Sequence, residues 1–396
     1  MEQVRIRFNR PSVVGNELAY VAKTMTSGHL SGDGHYTKLC HELLCELLGV
    51  PKVLLTTSCT HALEMAAMLL DIGPGDEVIV PSFTFVSTVN AFVIRGARPV
   101  FIDIRPDTLN LDERLLERLV TPRTKAIVPV HYAGVACEMD VINSIAAAHN
   151  ISVVEDNAHG LFGLYRNKFL GTLGTFGTQS FHETKNFQCG EGGALLINDN
   201  RFAERAEIIR EKGTNRAKFF RGQVDKYSWI DVGSSYLPSE ILAAVLYGQL
   251  EMRQLIQQAR KNIWQHYYDG LQEWAAEMGV TLPIVPHDRV QPYHMFYMLM
   301  PSLETRQALI EHLRDNGILA VYHYLPLHLS EMGIKYGGLP GDCPVTESVS
   351  DRLIRLPMYF DLSEQEQHEV INCTRAFSTK RRVPSLVSNV VESVHS

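Results

Sequence analysis

The sequence predicts an α/β protein with a large, mainly parallel sheet and a second, smaller α+β domain. The chain has 396 residues, a length that suggests about two or three domains with large buried cores. Short apolar runs rich in β-branched residues recur between Lys52 and Asn198, and amphipathic helical patterns separate several of them. Apolar strands that alternate with helices are typical of a parallel sheet covered on both faces.

Composition excludes several classes of protein. The chain carries 37 basic and 44 acidic side chains, a formal net charge of −7, which argues against a protein that coats nucleic acid or anionic membranes. No apolar run approaches the roughly 18 residues that cross a bilayer, and the first residues do not resemble a signal peptide. The seven cysteines are scattered without a C-x-x-C pair, which predicts reduced thiols, no metal site and a cytoplasmic location.

The elements of the large domain follow in order along the chain. The predicted strands are residues 53–56, 77–80, 100–103, 126–130, 152–155 and 194–197, and two predicted helices between them are 61–70 and 140–149. Each run is short and bounded by polar or turn-forming residues. This alternation is the observation on which the sheet prediction depends.

A long helix is expected to join the two domains. Pro238, Ser239 and Glu240 are typical helix-start residues, and the helical pattern after them runs past Gln257 to His266. Beyond it, a strand at 295–300, a helix at 303–316 and a strand at 318–324 suit a smaller α+β domain. We therefore predict a large domain with an N-terminal arm over 1–250, a small domain over 251–377 and a disordered tail over 378–396.

Ligands of open α/β sheets gather at the carboxyl ends of the strands, so the polar residues found there are the candidates. Cys59 and Thr60 lie in a hydroxyl-rich segment between a strand and a helix, where free amides and the helix dipole can hold a phosphate. An ordinary helix cap is the alternative. Asp156 ends another strand, with His159 three residues on; the carboxylate can pair with a protonated heterocyclic nitrogen, or it can simply cap a helix next to a core histidine.

Lys185 and Phe85 are two further candidate residues for the same site. A lysine near an aldehyde cofactor can form a Schiff base and move a proton between carbon atoms, although most single lysines are solvated. Phe85, beyond another strand end, can stack on a planar ring or pack in the core. The joint order of phosphate cradle, aromatic ring, Asp-x-x-His and Ser180-x-x-x-x-Lys185 indicates a site for pyridoxal 5′-phosphate (PLP).

One segment concentrates basic residues in this acidic protein. Residues 212–227 contain five basic side chains and one acidic side chain, interleaved with aromatic rings. Such a loop can bind a diphosphate and stack a base, whereas the plain alternative is a solvated charged loop. The candidate substrate-binding residues here are Lys218, Arg221, Lys226 and Tyr227.

These residues resemble the DegT-type sugar aminotransferases, and the similarity runs from Val13 to about Arg375. The similar stretches include 54–56, 58–60, 129–140, 180–186 and the basic loop. The resemblance implies the fold type I (aspartate-aminotransferase-like) architecture of PLP-dependent enzymes and a homodimer with a shared active site. It further implies an activity: transamination of a dTDP-4-keto-6-deoxyhexose at C4 with L-glutamate as the donor, through the pyridoxamine 5′-phosphate form.

The resemblance also implies a role for each matching residue. Lys185 bears the Schiff base and moves protons, Asp156 pairs with the pyridine nitrogen, His159 contacts the ring-hydroxyl side and Phe85 stacks on the ring. The implied phosphate ligands are Cys59, Thr60 and Ser180, and the implied residues near the sugar are His323, Tyr324 and His328.

Three positions depart from the family pattern. His61 stands where a small residue is usual, and Asn157 where Ala is usual. The Asn-x-Arg element before the long helix reads Ser235-Tyr236-Leu237, so that a contact to the neighbouring subunit's cofactor would come from Ser235. Two alternatives remain open at this point: amination at C3 of a nucleotide keto-sugar, and a homologue that binds PLP or a nucleotide-sugar without catalysis.

Overall fold

The computed structural model describes residues 4–378, and the predicted tail lies outside this range apart from Ser378. The helices are α1 (Glu17–Thr26), α2 (His35–Leu48), α3 (Cys59–Leu69), α4 (Val86–Val93), α5 (Leu116–Leu119), α6 (Met139–Ala148), α7 (Ala203–Arg210), α8 (Arg216–Phe220), α9 (Glu240–Glu251), α10 (Arg253–Met278), α11 (Leu303–Asp315), α12 (Glu331–Lys335), α13 (Pro344–Arg352) and α14 (Glu364–Ala376). The strands are β1 (Lys52–Thr56), β2 (Glu77–Pro81), β3 (Arg98–Ile102), β4 (Thr124–Ile127), β5 (Ser152–Asp156), β6 (Leu164–Tyr165), β7 (Lys168–Phe169), β8 (Phe176–Ser180), β9 (Gly193–Ile197), β10 (Arg289–Val290), β11 (Tyr297–Leu299) and β12 (Leu353–Arg355). Single-turn 3₁₀ helices occupy 113–115, 132–134, 200–202 and 327–329.

Seven strands form the large sheet in the order β1-β9-β8-β5-β4-β2-β3. The pairs β8–β5, β5–β4, β4–β2 and β2–β3 are parallel, and β9 runs antiparallel to both of its neighbours. Apolar clusters cover both faces of the sheet. This arrangement confirms the predicted α/β class.

The strand β8 has no counterpart among the sequence predictions. Its residues Phe176–Ser180 are mostly small or polar, so no apolar run marks them. Some of their polar side chains find hydrogen-bond partners in the tertiary structure; for example, the Thr178 hydroxyl donates to the Glu155 carbonyl at 3.2 Å. A Cβ added at Gly177 would lie only 2.1 Å from the Gly171 carbonyl oxygen. Pairing with β5 and β9, rather than a hydrophobic pattern, therefore makes this segment a strand.

The predicted bridging helix is two helices. Met252 ends α9 and precedes α10 with φ −88° and ψ 12°, and its amide donates to the carbonyl of Gln249. Its side chain lies against Gly15, where an added Cβ would be 2.6 Å from Met252 Cγ. The break redirects the chain from the large sheet toward the second core, and α10 then continues to Met278.

The second core contains α10, α11 and α14 packed on the antiparallel pair β11–β12. The strand predicted at 318–324 is reduced to single bridges, Ile318 with Ile6 and Val321 with Arg355. Ile6 of the N-terminal arm is buried in this core, so the arm packs against the small domain. The domain boundaries remain a prediction.

Some properties concern the described residues as a whole. Within residues 4–378, no helix combines the length and apolar character needed to cross a membrane. No group of three or more His, Cys, Asp or Glu side chains in this range is placed to hold a metal ion. All seven cysteines are free thiols.

Candidate active site

A cavity of about 630 Å³ lies at the carboxyl edge of the large sheet. Its lining combines strand ends and helix starts of the large domain with the arm residues Phe8 and Asn9 and with segments of the small domain. The volume falls within the range of roughly 300–1,000 Å³ that is typical of small-molecule sites.

The topology brings nine of the predicted site residues together. Parallel strands end at the same edge of a sheet, so residues far apart in the chain meet there. Those lining the cavity are Cys59, Thr60, Phe85, Asp156, His159, Ser180, Lys185, His323 and Tyr324.

A phosphate-sized cradle is formed at the start of α3. Ser58 caps the helix, accepting from the His61 amide at 3.1 Å, while the amides of Cys59 and Thr60 belong to the first turn, where no intrahelical acceptor exists. The facing residue on β9 is Gly193, where an added Cβ would lie 2.4 Å from the Cys59 nitrogen. Free amides at a helix N-terminus without an opposing side chain fit a phosphate group.

The Asp156 carboxylate is buried and held by two hydrogen bonds. It accepts from the Thr88 hydroxyl at 2.7 Å and from the Ala158 amide at 3.2 Å. Within the described chain, no lysine or arginine forms an ion pair with it. A buried carboxylate without a cation is costly, so the protonated nitrogen of a bound pyridine ring fits this position.

Lys185 lies in the loop after β8 and lines the same cavity as Asp156. Burial lowers the pKa of Lys185 to about 8, against the opposing effects of Cys59 and Asp156. The neutral amine, which is the form that attacks an aldehyde, is therefore far more populated near neutral pH than in an ordinary lysine.

His159 provides an unpartnered polar atom beside the cavity. Its ring stacks on that of His294 with centroids 4.4 Å apart, and its buried Nδ1 has no hydrogen-bond partner in residues 4–378. Burial lowers the pKa of both imidazoles. A hydroxyl on a bound ring would satisfy this nitrogen, so the residues present fit PLP.

Aromatic rings form another part of the cavity lining. Phe85 is 57% exposed and its ring centroid lies 6.4 Å from that of Tyr324, so one face is available for stacking. His323 Nδ1 and the Tyr132 hydroxyl are 3.0 Å apart. These groups can position polar parts of a substrate.

The predicted loop residues do not line this cavity in the described chain. Lys218 pairs with Glu204 at 2.6 Å and Arg221 with Glu207 at 2.9 Å. The other three predicted residues are exposed: Lys226, Tyr227 and Ser235. Their binding roles remain predictions that require a second copy of the chain.

His328, which was predicted to lie near the sugar, does not line the cavity in the described chain. Its side chain is fully buried, with Nδ1 2.6 Å from the Ser82 hydroxyl and Nε2 3.0 Å from a Glu347 carboxylate oxygen. Both ring nitrogens are thus occupied within the protein, and His328 links the large domain to α13 instead of facing the cavity.

Thr88, His294 and Arg355 are among the cavity residues that were not identified from the sequence. Thr88 lies one turn after Thr84 at a helix start, a weak signal that was available. His294 and Arg355 come from the small domain, and only the packing of that domain on the sheet edge places them here. The departures His61 and Asn157 are absent from the lining.

A family model described as the DegT/DnrJ/EryC1/StrS aminotransferase family matches residues 11–375. The chain belongs to this family. It is 32% identical to the spore coat polysaccharide biosynthesis protein SpsC of Bacillus subtilis (strain 168), over 93% of this chain and 96% of that protein.

Solved structures of other aminotransferases superpose closely on this chain. The aminotransferase TlmJ from Streptoalloteichus hindustanus matches with a TM-score of 0.86 and 31% identity, over 94% of this chain and 98% of that one. The PLP-form of Spr1654 from Streptococcus pneumoniae, described as a sugar aminotransferase, matches with a TM-score of 0.85 and 28% identity, over 93% and 97%.

Family membership makes this chain a PLP-dependent aminotransferase, which confirms the predicted cofactor, enzyme class and fold. The cavity agrees with that conclusion, since a phosphate cradle, a carboxylate and a lysine surround one space. The individual residue roles remain predictions, and the experiments below test them.

The lowered pKa of Lys185 predicts how the aminotransferase takes up its cofactor. The neutral fraction of a group with pKa about 8 rises about tenfold between pH 7 and pH 9, whereas that of an ordinary lysine rises about a hundredfold. We expect the rate of PLP uptake by the apoenzyme to rise and then level off near pH 9. Stopped-flow absorbance measures this rate, and a steady tenfold rise per pH unit through pH 9 would contradict the assignment.

Proposed function

We propose that this aminotransferase transfers the amino group of L-glutamate to C4 of a dTDP-4-keto-6-deoxyhexose. The products are 2-oxoglutarate and a dTDP-4-amino-4,6-dideoxyhexose. Family membership establishes transamination by a PLP enzyme, and sugar aminotransferases among the relatives support a keto-sugar acceptor. The position of amination, the nucleotide and the donor belong to the proposal.

One observation carries the chemistry: Lys185 and Asp156 face the same cavity from different strand ends. When bound, PLP supplies an aldehyde that holds the amino group and a ring that delocalises the electrons left by a removed proton. Asp156 keeps the ring nitrogen protonated, which makes that delocalisation effective. Lys185, as a neutral amine, removes the proton from the donor's Cα and returns a proton to the acceptor's C4.

Other cavity residues bind and orient. The amides and hydroxyls at Cys59, Thr60 and Ser180 hold the phosphate end, and Phe85 covers one face of the ring. His159 accepts or donates at the ring hydroxyl. Since His323 and Tyr324 lie on the small-domain side, they contact the sugar when it approaches Lys185.

The reaction product tests this proposal directly. The enzyme is incubated with dTDP-4-keto-6-deoxyglucose and L-glutamate, and NMR proton couplings assign the position and configuration of the new amine. Amine at C4 supports the proposal. Transfer only to a 3-keto sugar would favour the C3 alternative, and cofactor that does not respond to glutamate would contradict the proposed donor.

We further propose a cytoplasmic homodimer in which the basic loop of one subunit completes the cavity of the other. Trp229 and Phe220 are 78% and 71% exposed, and Ile230 is also exposed. Exposed apolar side chains of this size near one loop are typical of a subunit interface. Seven free thiols suit a reducing compartment.

A hybrid experiment tests the shared site. Replacing Lys218, Arg221 and Lys226 together with Gln should raise KM for the sugar nucleotide about tenfold or more, since charge-assisted contacts to a diphosphate are lost. Mixed with Lys185→Ala protein, this variant should regain sites with the original KM, because each hybrid contains one intact lysine and one intact loop facing each other. Lys125→Gln, an exposed lysine at the start of β4, is the control. If the hybrids do not regain the original KM for the sugar nucleotide, the loop does not complete the cavity of the other subunit.

A further inference from the structure

Arg355 is the last residue of β12, and it lines the cavity. Its amide donates to the Val321 carbonyl at 2.7 Å, the Val321 amide returns a bond at 3.1 Å, and Tyr297 of β11 pairs on the other side. The backbone is therefore held between two extended segments, so that the guanidinium starts from a rigid position.

The positive charge of Arg355 has no counter-ion in the described part of the chain. No carboxylate in residues 4–378 forms an ion pair with it, and its shielded Nε has no hydrogen-bond partner. The centroid of the Phe8 ring lies 4.7 Å from Cζ of the guanidinium. An aromatic face compensates a cation weakly, so this arginine is left with donors for an incoming anion.

The guanidinium is close enough to the reacting centre to act on it electrostatically. After burial, which is the larger cause, the charge of Arg355 contributes to the lowered pKa of Lys185, His159 and His323. Arg355 and Lys185 line the same cavity, so a group bound there by Arg355 shares the site with the Lys185 amine.

We propose that Arg355 binds the α-carboxylate of the amino donor. The inference rests on the proposed function, in which the donor is an amino acid. The α-carboxylate is bonded directly to the carbon whose proton Lys185 removes. When that carbon is at Lys185, the carboxylate is therefore in the same cavity as Arg355. Planar, bidentate recognition of a carboxylate is what arginine provides best.

The other anion of the reaction is a poorer match. In the keto-sugar the diphosphate is attached at C1, with the sugar ring between it and C4. When C4 is at Lys185, the sugar ring separates the diphosphate from the reacting carbon, whereas the α-carboxylate of the donor is one bond from it. The experiment below separates the two occupants.

A double-mutant cycle between enzyme and donor tests the inference. L-Glutamate and 4-aminobutyrate differ by the α-carboxylate, and the wild-type donor half-reaction, followed by cofactor absorbance, should favour glutamate about 100-fold, as expected for a two-bond charged contact. In Arg355→Met the glutamate rate constant should fall about 100-fold while that of 4-aminobutyrate changes by about threefold or less. Binding of unreactive glutarate, read from the same absorbance without turnover, should weaken in parallel.

Arg306→Met is the matched control. Arg306 also has an unpartnered Nε and lies over an aromatic ring, 5.3 Å from Tyr322, but it does not line the cavity. The Arg306→Met variant should leave the preference for glutamate over 4-aminobutyrate unchanged. If Arg355→Met fails to fold, Arg355→Lys is the second variant. It keeps a positive charge but not the two parallel N–H donors of arginine, so the rate constant with glutamate should fall about tenfold.

Each remaining outcome overturns a specific statement. Equal loss with both amines, or loss confined to the sugar-nucleotide half-reaction, would overturn the α-carboxylate assignment. Unchanged kinetics with glutamate would do the same. Wild-type enzyme that accepts neither amine would reject the proposed donor, while the glutarate titration would still report whether Arg355 binds carboxylate.

Discussion

Replacement of Lys185 by Ala should abolish amino transfer, reducing turnover by about 10⁴-fold or more, because the amine both bears the cofactor and moves the proton. The cavity otherwise stays intact, so PLP should still bind through the phosphate cradle but without the absorption band of a protonated Schiff base. Absorption spectra and single-turnover kinetics measure both effects.

The control for this variant is Lys168→Ala, an exposed lysine on β7. It should retain wild-type spectra and rates. If Lys185→Ala kept full activity, the assignment of the catalytic lysine would be wrong. An intact melting temperature in both proteins would separate loss of chemistry from loss of folding.

Replacement of Asp156 by Asn should slow transfer by about 10²–10³-fold while leaving the protein folded. The amide keeps the shape of the carboxylate and an oxygen that can accept from the Thr88 hydroxyl, but it no longer favours a protonated ring nitrogen. The electron sink is therefore weakened. The primary isotope effect on removal of the Cα proton should increase, because this step becomes rate-limiting.

Asp140→Asn provides the comparison for Asp156. Asp140 is exposed and pairs with Arg166 on the surface, so its replacement should leave kinetics unaltered. Wild-type rates in Asp156→Asn would remove the carboxylate from the electron-sink role. Complete loss of cofactor would instead indicate that Asp156 mainly anchors the ring.

Much of the large domain was predictable because its strands are continuous apolar runs. β1, β2, β5 and β9 were expected within about two residues, a margin usual for element boundaries. β8 was missed because Gly177 and Gln179 carry no hydrophobic signal, and the break at Met252 was missed because helical periodicity continues through it. In both cases a contact distant in sequence decides the local structure.

Polar site residues were predictable to the extent that they follow strands of the large sheet. Asp156 ends a predicted strand, and a parallel sheet brings such positions to one edge. Lys185 was identified from the Ser180-x-x-x-x-Lys185 order instead, because β8 before it was not predicted. His328 has a similar polar setting in the sequence, yet Ser82 and Glu347 occupy both of its nitrogens. Hydrogen-bond partners from remote segments cannot be read from local pattern.

The sequence by itself determined the α/β class, the cofactor and the order of chemical groups along the chain, because hydrophobic periodicity and residue chemistry are local properties. Only the tertiary structure decided that Arg355 has no counter-ion among residues 4–378, and that Lys218 and Arg221 pair with acids away from the cavity. The physical reason is that burial and pairing depend on which distant segments pack together. The packing of distant segments therefore decides whether a charged side chain is available to a ligand or is paired within the protein.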